Sequence, residues 1–180
     1  MAARLPGTYV AKNLEDSVRV VLRLLDCMRP LYPDSSAVID IDGTILHQDP
    51  SGKFWKSPWI INLCKAFTLC DIPIFAVTAR ADTPENRRWT ERQLSRCGIQ
   101  YEELFMRDKE DDDYGKQKLV ARDHIRKSRN RYVLVTIGDR TTDHSNDGRL
   151  DALLDPHEII VGYIGDVPHQ LCLKLPEEHA

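Results

Sequence analysis

Short apolar runs alternate along the chain with longer segments in which apolar residues recur every three or four positions. The apolar runs, each of which predicts a strand, lie at 37–41, 72–77, 104–106, 132–137 and 159–164. Two of the intervening segments begin at Ser57-Pro58 and Thr83-Pro84, pairs typical of a helix cap and first helical turn. Because strands that alternate with helices favour a parallel sheet, we predict a doubly wound, three-layer α/β/α domain with a mostly parallel five-stranded sheet.

Two further segments belong to this layout. A covering helix is predicted at about 14–28, where apolar residues repeat at helical spacing between the N-cap residue Asn13 and Pro30. Residues 47–56 are polar and contain proline and glycine, which indicates a turn or small hairpin beside the end of the first strand. We expect no chemistry in the covering helix.

Length and composition indicate one soluble domain over residues 1–180, with its core at about 36–165. Hydrophobic residues make up 42% of the chain and charged residues 29%, as in ordinary globular proteins. We expect loose ends before residue 7 and from Glu177. No apolar stretch reaches the roughly 20 residues of a membrane span, and the N-terminus lacks the layout of a signal peptide. Five scattered cysteines fit a reducing compartment, so we predict a cytoplasmic protein that does not enter a membrane.

Residues capable of chemistry follow three of the predicted strands. Asp40 and Asp42 end the first strand, Thr78 ends the second, and Asp139 ends the fourth, with Asp143 shortly after it. The carboxyl ends of parallel strands meet at one edge of a sheet, so we expect these side chains to converge. Asp40 and Asp42 are two positions apart and would share a face of the strand, where their charges repel unless a cation or a proton intervenes. The pattern predicts a divalent metal or split ionisation, and a plain acidic turn is the alternative.

The sequence Asp40-Ile-Asp-Gly-Thr44, placed after an apolar strand, resembles the first motif of the haloacid dehalogenase (HAD) superfamily of phosphotransferases. Thr78, at the end of its strand, is similar to the second motif, and residues 138–143 are similar to the fourth. The third motif is a lysine at the start of the helix before the fourth strand. The resemblance covers about 36–165 and implies a Rossmann-like phosphatase domain.

The same resemblance implies a Mg²⁺-dependent phosphomonoester hydrolase that acts through an aspartyl-phosphate. Asp40 would be the nucleophile, and Asp42 would protonate the leaving oxygen and then activate water. Mg²⁺ would be held by Asp40, the backbone carbonyl of Asp42 and Asp139, with support from Asp143. The residues expected to bind the phosphoryl group are Gly43, Thr78, Arg80 and Lys116.

Two lysines compete for the third motif. Lys116 shares a helix face with Leu119 and Val120, which we expect to turn toward the sheet, whereas Lys118 lies on a wholly basic face. We therefore predict that Lys116 offsets the charge of the nucleophile and the phosphoryl oxygens, and Lys118 remains the alternative.

The gaps in which superfamily members carry a cap domain are short here, which indicates a capless member. Residues 77–80, followed by an arginine-rich helix that contains Trp89, are more loosely similar to the phosphatase domain of bacteriophage-type polynucleotide kinase-phosphatases. The sequence has no glycine-rich Walker loop, so this similarity concerns phosphatase activity alone.

Two basic helix faces bear on the substrate. Their members are Arg88, Arg92 and Arg96 on one helix, and Lys118, Arg122 and Arg126 on another. Such faces could follow a phosphate backbone, so we expect terminal phosphates of nucleotides or polynucleotides as substrates, with solvated faces as the alternative. A small-molecule or protein phosphatase of the same fold and a non-catalytic binding protein of that fold are the alternative functions. The sequence does not determine the oligomeric state.

Overall fold

The centre of the protein is a seven-stranded sheet, seen in a computed structural model that describes residues 5–177. The described strands are β1 (Thr8–Ala11), β2 (Ser35–Ile39), β3 (Leu46–Gln48), β4 (Phe54–Lys56), β5 (Ile74–Ala81), β6 (Glu103–Arg107), β7 (Tyr132–Gly138), β8 (Ile159–Gly162) and β9 (Leu171–Lys174). The described helices are α1 (Leu14–Met28), α2 (Pro58–Leu69), α3 (Pro84–Arg96), α4 (Tyr114–Lys127) and α5 (Leu150–Leu153), with 3₁₀ turns at Arg29–Leu31 and Thr141–Asp143. The two ends of the chain were predicted to be loose. Most of each end lies outside the described residues, at 1–4 and 178–180.

The sheet runs in the order β1-β8-β9-β7-β2-β5-β6. The five strands from β9 to β6 are parallel, whereas β8 is antiparallel to β9 and β1 is antiparallel to β8. The prediction of an α/β sheet is confirmed, but the predicted count of five strands is wrong. Strands β1 and β9, of four residues each, were not predicted from the sequence.

The helix starts follow the predicted caps. The Asn13 side chain accepts a hydrogen bond from Asp16 N at 2.8 Å at the start of α1, and the Thr83 hydroxyl accepts one from Asn86 N at 3.1 Å at the start of α3. At α4 the cap is Asp113, whose carboxylate accepts from the backbone N–H of Lys116 at 3.0 Å. This hydrogen bond marks the start of α4, the helix that carries Lys116 and Lys118.

The hydrophobic core lies on both faces of the sheet, as the period of a strand requires. Ala37 and Ile39 of β2 pack in the cluster that includes α1 and α2, whereas Val38 packs in a second cluster with Ala121 and Ile125 of α4. Pairing continues one residue past β2, since Asp40 N donates to Ile137 O at 2.9 Å. Asp40 therefore points to the same face of the sheet as Val38, which is the face that α4 covers.

The connections beside the site are short. β3 and β4 form the predicted hairpin, with Leu46 opposite Lys56, and this hairpin and α2 are the elements between β2 and β5. Residues 108–113 connect β6 to α4 without a helix or strand. No helix among the described residues has both the length and the apolar character needed to cross a membrane.

Candidate active site and metal centre

Three aspartates converge at the carboxyl end of the parallel strands. Asp40 follows β2, Asp139 follows β7, and Asp143 lies in the 3₁₀ turn after it. Each offers a carboxylate oxygen, all three oxygens lie within 4.8 Å of one another, and all three residues are buried. Three residues from separate parts of the sequence therefore form one oxygen-rich cluster, named here the buried triad.

Lys118 completes the cluster. Its Nζ lies 3.2 Å from Asp40 Oδ1 and also donates to Asp143 Oδ1, and the residue is only 6% exposed. Burial acts to lower the pKa of the Lys118 amine, but Asp143 and Asp40 outweigh it and raise that pKa above its ordinary value. The lysine is therefore a buried ammonium shared between two carboxylates.

The pKa values of the triad record an excess of negative charge. Burial and the neighbouring Asp143 raise the pKa of Asp40 well above its ordinary value, and they raise the pKa of Asp139 to about 6. Burial also acts on Asp143, but Lys118 outweighs it and holds the pKa of that carboxyl below its usual range. With all three carboxylates ionised, the triad and Lys118 together carry two negative charges, which one divalent cation would balance. Carboxylate oxygens are the donors that Mg²⁺ prefers, so the residues present fit this ion.

Two glycines make room for the triad. Gly43 has φ +76°, and a Cβ atom added there would collide with the Asp139 carboxylate. A Cβ atom at Gly138 would collide with the side chain of Asp143 in the same way. Gly43 therefore allows the backbone to pack closely against the Asp139 carboxylate. The role in anion binding that the sequence predicts for Gly43 remains a prediction.

The choice of Lys116 over Lys118 is corrected by the structure. Lys116 is exposed, whereas the buried residues of α4 are Lys118, Ala121, Arg122 and Ile125. Val120, expected to face the sheet beside Lys116, is 57% exposed. The face that looked wholly basic in the sequence is the inner one, because carboxylates from other parts of the chain neutralise its charges.

Arg122 and Arg126 show the same effect. Arg122 is fully buried, donates to Asp166 through Nε at 2.6 Å and to the backbone carbonyl of Thr142 at 2.8 Å. Arg126 also pairs with Asp166, at 3.1 Å, and donates to Gln170 at 2.7 Å. The predicted basic surface on α4 is thus wrong. Arg122 instead holds the turn that carries Asp143.

His144 lies beneath the site and was not singled out from the sequence. It is fully buried, with Nδ1 2.7 Å from the Thr136 hydroxyl and Nε2 3.2 Å from Gly138 O. Burial lowers the pKa of His144 to about 4, so the ring is neutral at pH 7. The residue connects β7 to the turn of Asp139 and Asp143, and a polar loop in the sequence gives no sign of this burial.

Asp42 does not join the triad. Its carboxylate is half exposed and accepts two hydrogen bonds from Arg80, at 2.8 Å from Nε and 2.7 Å from Nη2. The expectation that Asp40 and Asp42 share a strand face is wrong, because β2 ends at Ile39 and a turn follows. In that turn Ile41 O accepts the backbone N–H groups of residues 44, 45 and 46, which redirects the Asp42 side chain.

Arg80 is fixed from three sides. Its Nη1 donates to the Thr90 hydroxyl at 3.0 Å and to Gln93 Oε1, and its guanidinium lies 4.8 Å from the centre of the Trp89 ring. The α3 helix therefore holds Arg80 in place opposite Asp42. Arg80 was expected to bind the phosphoryl group, and the structure shows it bound to a carboxylate.

Two threonines lie close to the triad. Thr44 is buried and its hydroxyl donates to Asp40 Oδ2 at 3.4 Å. Thr78 is buried in β5, and its hydroxyl accepts the backbone N–H of Arg80 at 3.2 Å. Thr78 and Lys118 line the same cleft, so a hydroxyl and an ammonium are available to one anion.

Two clefts flank the carboxylates. The first, of about 430 Å³, is named the helix cleft and is lined among others by Thr78, Phe105, Tyr114, Lys118 and Ala121. The second, of about 380 Å³, is named the hairpin cleft and is lined among others by Asp42, Phe54, Arg80, Trp89, Asp139 and Arg140. The two clefts thus reach the site from the side of Lys118 and from the side of Asp42.

Comparison with known proteins gives structural neighbours only. No family model matches the chain, and no curated protein matches it. A chain of the Pnkp1/Rnl/Hen1 RNA repair complex is similar over 61% of this chain and 37% of its own length, with 21% identity and a TM-score of 0.49. A second structure of that complex is similar over 61% of this chain and 40% of its own length, with 21% identity and a TM-score of 0.48. A protein from Vibrio cholerae described as a 3-deoxy-D-manno-octulosonate 8-phosphate phosphatase is similar over 61% of this chain and 57% of its own length, with 19% identity and a TM-score of 0.39.

These neighbours are described as components of an RNA repair complex and as a phosphatase. The chain spans less than two thirds of the length of each of them. Similarity of this degree leaves the function to be argued from the site.

Proposed function

We propose that the chain is a Mg²⁺-dependent phosphomonoester hydrolase of the HAD superfamily, capless, with Asp40 as nucleophile. The observation that carries this proposal is the buried triad with Lys118: three carboxylates that share one ammonium at the carboxyl end of a parallel sheet. Burying several ionisable groups together destabilises the folded state, so a protein that only kept the fold would gain nothing from this cluster.

Asp40 is held ready for attack by its neighbours. Lys118 bonds one of its oxygens and the Thr44 hydroxyl bonds the other, so the carboxylate has a fixed orientation. In the proposed reaction an Asp40 oxygen bonds to phosphorus while the ester P–O bond breaks, and Asp42 gives its proton to the departing alcohol oxygen. Asp42 then takes a proton from water, whose oxygen attacks phosphorus, and inorganic phosphate leaves as Asp40 is regenerated.

The residues that would hold Mg²⁺ are Asp40, Asp139 and Asp143, with the backbone carbonyl of Asp42. When bound, the ion supplies positive charge that reduces the repulsion between Asp40 and an anionic phosphate. Lys118, in place of Lys116, is proposed to neutralise the phosphoryl oxygens, with Thr78 and the backbone N–H groups around Gly43 as further donors.

Arg80 is proposed to position Asp42. Two hydrogen bonds from one planar guanidinium fix the plane of the carboxylate, and Arg80 is itself held by Thr90 and Gln93. The pair stabilises the ionised form of Asp42, which is the form that takes a proton from water in the second step.

For the substrate we propose a terminal phosphate of a nucleotide or nucleic acid. The three exposed arginines of α3, Arg88, Arg92 and Arg96, form no salt bridge with any described residue, so their charges are available to a phosphate backbone. Most of the positive charge of α4, in contrast, is neutralised within the protein. We also propose a reducing, cytoplasmic location, since the five cysteines are free.

The first experiment measures hydrolysis of p-nitrophenyl phosphate with Mg²⁺, with a chelator, and with Mg²⁺ restored. The wild-type chain should be active with the ion, inactive with the chelator and active again after restoration. Asp40→Asn should be inactive, and Asp26→Asn, an exposed aspartate of α1, is the matched control. Hydrolysis that persists in chelator, or in Asp40→Asn, would overturn the proposal.

A further experiment concerns the arginines of α3. We expect kcat/KM for a phosphorylated oligonucleotide to exceed that for the matching mononucleotide at low salt and to fall steeply as salt rises, because each phosphate contact releases counterions. Arg92→Gln should reduce the salt dependence. If kcat/KM for the oligonucleotide does not exceed that for the mononucleotide at low salt, the proposal of a polymeric substrate is wrong. The chain would then be a small-molecule phosphatase.

A further inference from the structure

The hairpin cleft lies on the side of the site from which the alcohol must leave. Asp42 and Asp139 both line it, so it opens directly onto the carboxylates. The proposed acid, Asp42, has to reach the ester oxygen that joins phosphorus to the rest of the substrate. The part of the substrate beyond that oxygen therefore lies in the hairpin cleft, whereas the helix cleft is reached through Thr78 and Lys118, the donors to the non-bridging oxygens.

The walls of the hairpin cleft are aromatic and cationic. Trp89 of α3 is 40% exposed, and Phe54 of the hairpin meets it edge to face with ring centres 5.7 Å apart. Arg80 covers part of the Trp89 ring from 4.8 Å. Arg140 is exposed and, among the described residues, forms no salt bridge. Aromatic rings beside guanidinium groups form the surface on which flat, electron-rich bases stack.

The size of the cleft agrees with this chemistry. A volume of about 380 Å³ lies within the range of small-molecule sites, which begins at roughly 300 Å³. A sugar phosphate would occupy the polar end near Asp42 and leave the Trp89–Phe54 wall uncovered. An exposed aromatic pair beside a reaction centre thus favours a substrate that has a flat ring attached to its alcohol.

We propose that the hairpin cleft is a nucleobase subsite, in which the base of the terminal nucleotide stacks on Trp89 against Phe54 while its phosphate lies at Asp40. This proposal rests on the proposed phosphatase function. It assigns the specificity of a capless enzyme to one helix and one hairpin. Arg80 then has two contacts, the Asp42 carboxylate and the ring on which the base stacks.

The test compares substrates that differ only in the base. Adenosine 5′-monophosphate is paired with ribose 5-phosphate, and a 3′-phosphorylated dinucleotide is paired with its analogue lacking the terminal base. The two members of each pair release the same type of sugar hydroxyl and differ in the base, so the ratio of the two kcat/KM values reports the contribution of the base. Because stacking of one base is worth at least about fivefold in affinity, the ratio for at least one pair should be fivefold or more.

The variants are Trp89→Leu, Trp89→Phe, Phe54→Leu and Trp59→Leu. Trp89→Leu and Phe54→Leu should bring the ratio toward one, while Trp89→Phe keeps a ring and most of the ratio. Trp59 of α2 is the matched control, since it is 39% exposed and does not line the hairpin cleft, and Trp59→Leu should keep the wild-type ratio. None of the four substitutions removes Thr90 or Gln93, so we expect Arg80 to keep its hydrogen bonds to them.

Four outcomes would contradict the proposal. A wild-type ratio near one for both pairs, or a high ratio that Trp89→Leu leaves unchanged, would overturn the subsite while phosphatase activity stands. Selectivity for phenyl phosphate over both nucleotides would assign the cleft to an aromatic alcohol instead of a base. Absence of hydrolysis with every phosphate, p-nitrophenyl phosphate included, would overturn the proposed function and the subsite with it.

Discussion

Two aspartates separated by one residue each form a carboxylate–cation pair, and the carboxylate is buried in one pair and half exposed in the other. Asp40 and Lys118 are each 7% exposed in their side chains, whereas Arg80 is 10% exposed and its partner Asp42 is 50% exposed. The N–O distances are 3.2 Å for the buried pair and 2.7 Å for the exposed one. Contact distance therefore does not separate the two pairs.

Burial gives the same chemical groups different properties. In the buried pair, the missing solvent and the nearby Asp143 and Asp139 raise the pKa of Asp40. The carboxylates of this site can therefore bind a cation. In the exposed pair, water reaches the Asp42 carboxylate and screens its charge, so removing that charge should cost about 1 kcal/mol of folding free energy. The buried pair is suited to hold a metal and a nucleophile, and the exposed pair is suited to exchange a proton with a substrate.

The largest effect is expected from Asp40→Asn. This change removes the nucleophile and a metal ligand while it keeps the shape of the side chain, so turnover should fall at least about a thousandfold. The free energy of unfolding without metal should not fall, because a neutral amide removes buried charge. The measurement is p-nitrophenyl phosphate hydrolysis together with urea unfolding, and undiminished turnover would show that Asp40 is not the nucleophile.

The next effect is expected from Lys118→Ala, which should lower kcat/KM about a hundredfold, equivalent to roughly 3 kcal/mol of transition-state stabilisation. Removing the only ammonium of the centre should also lower the free energy of unfolding by roughly 3 kcal/mol, since Asp40 and Asp143 lose their partner. Lys116→Ala is the control: an exposed lysine two residues earlier on the same helix should change both quantities little. Equal losses in the two variants would return Lys116 to the role predicted from the sequence.

Asp42→Asn sharpens the comparison from the exposed side. An alkyl phosphate needs a proton on its leaving oxygen, so its hydrolysis should fall about a hundredfold, whereas p-nitrophenyl phosphate should lose less than about tenfold. Unfolding of this variant should differ from the wild type by no more than about 1 kcal/mol. Parallel losses on the two substrates would mean that Asp42 is not the acid.

The smallest effect concerns pH and Mg²⁺. Burial and Asp143 raise the pKa of Asp139 to about 6, so this carboxyl is ionised above that pH and binds a proton, in competition with the metal, below it. The apparent Mg²⁺ affinity should therefore fall about fourfold between pH 7 and pH 5.5, seen as a smaller rise of Tm on addition of Mg²⁺. The same titration of Asp42→Asn should show the same fall, because the exposed pair lies outside the triad. Affinity that stays constant over this range would contradict the triad as the metal site.

Much of the fold could be predicted from local pattern. Long apolar runs gave β2, β5 and β7, and the caps at Asn13 and Thr83 gave the starts of two helices, because these signals depend only on neighbours in sequence. Strands β1 and β9 were not predicted, whereas β8, of the same length, lies in the apolar run 159–164; β1 and β9 pair with β8 and β7 in the sheet.

Several residues of the site could also be identified from their positions in the sequence. Asp40, Thr78 and Asp139 could be singled out because each follows an apolar run, and parallel strands bring such positions to one edge. That reasoning needs the order of elements and no knowledge of side-chain contacts.

Tertiary structure alone decided which lysine faces Asp40 and where Asp42 points. On a helical wheel Lys118, Arg122 and Arg126 form a polar face, and only the carboxylates brought by other elements, Asp143 and Asp166, make that face an inner one. The direction of Asp42 depends in the same way on a turn after Ile39 and on Arg80, 38 residues away. The charge and burial of these groups are set by distant partners, so a pattern of neighbouring residues cannot contain them.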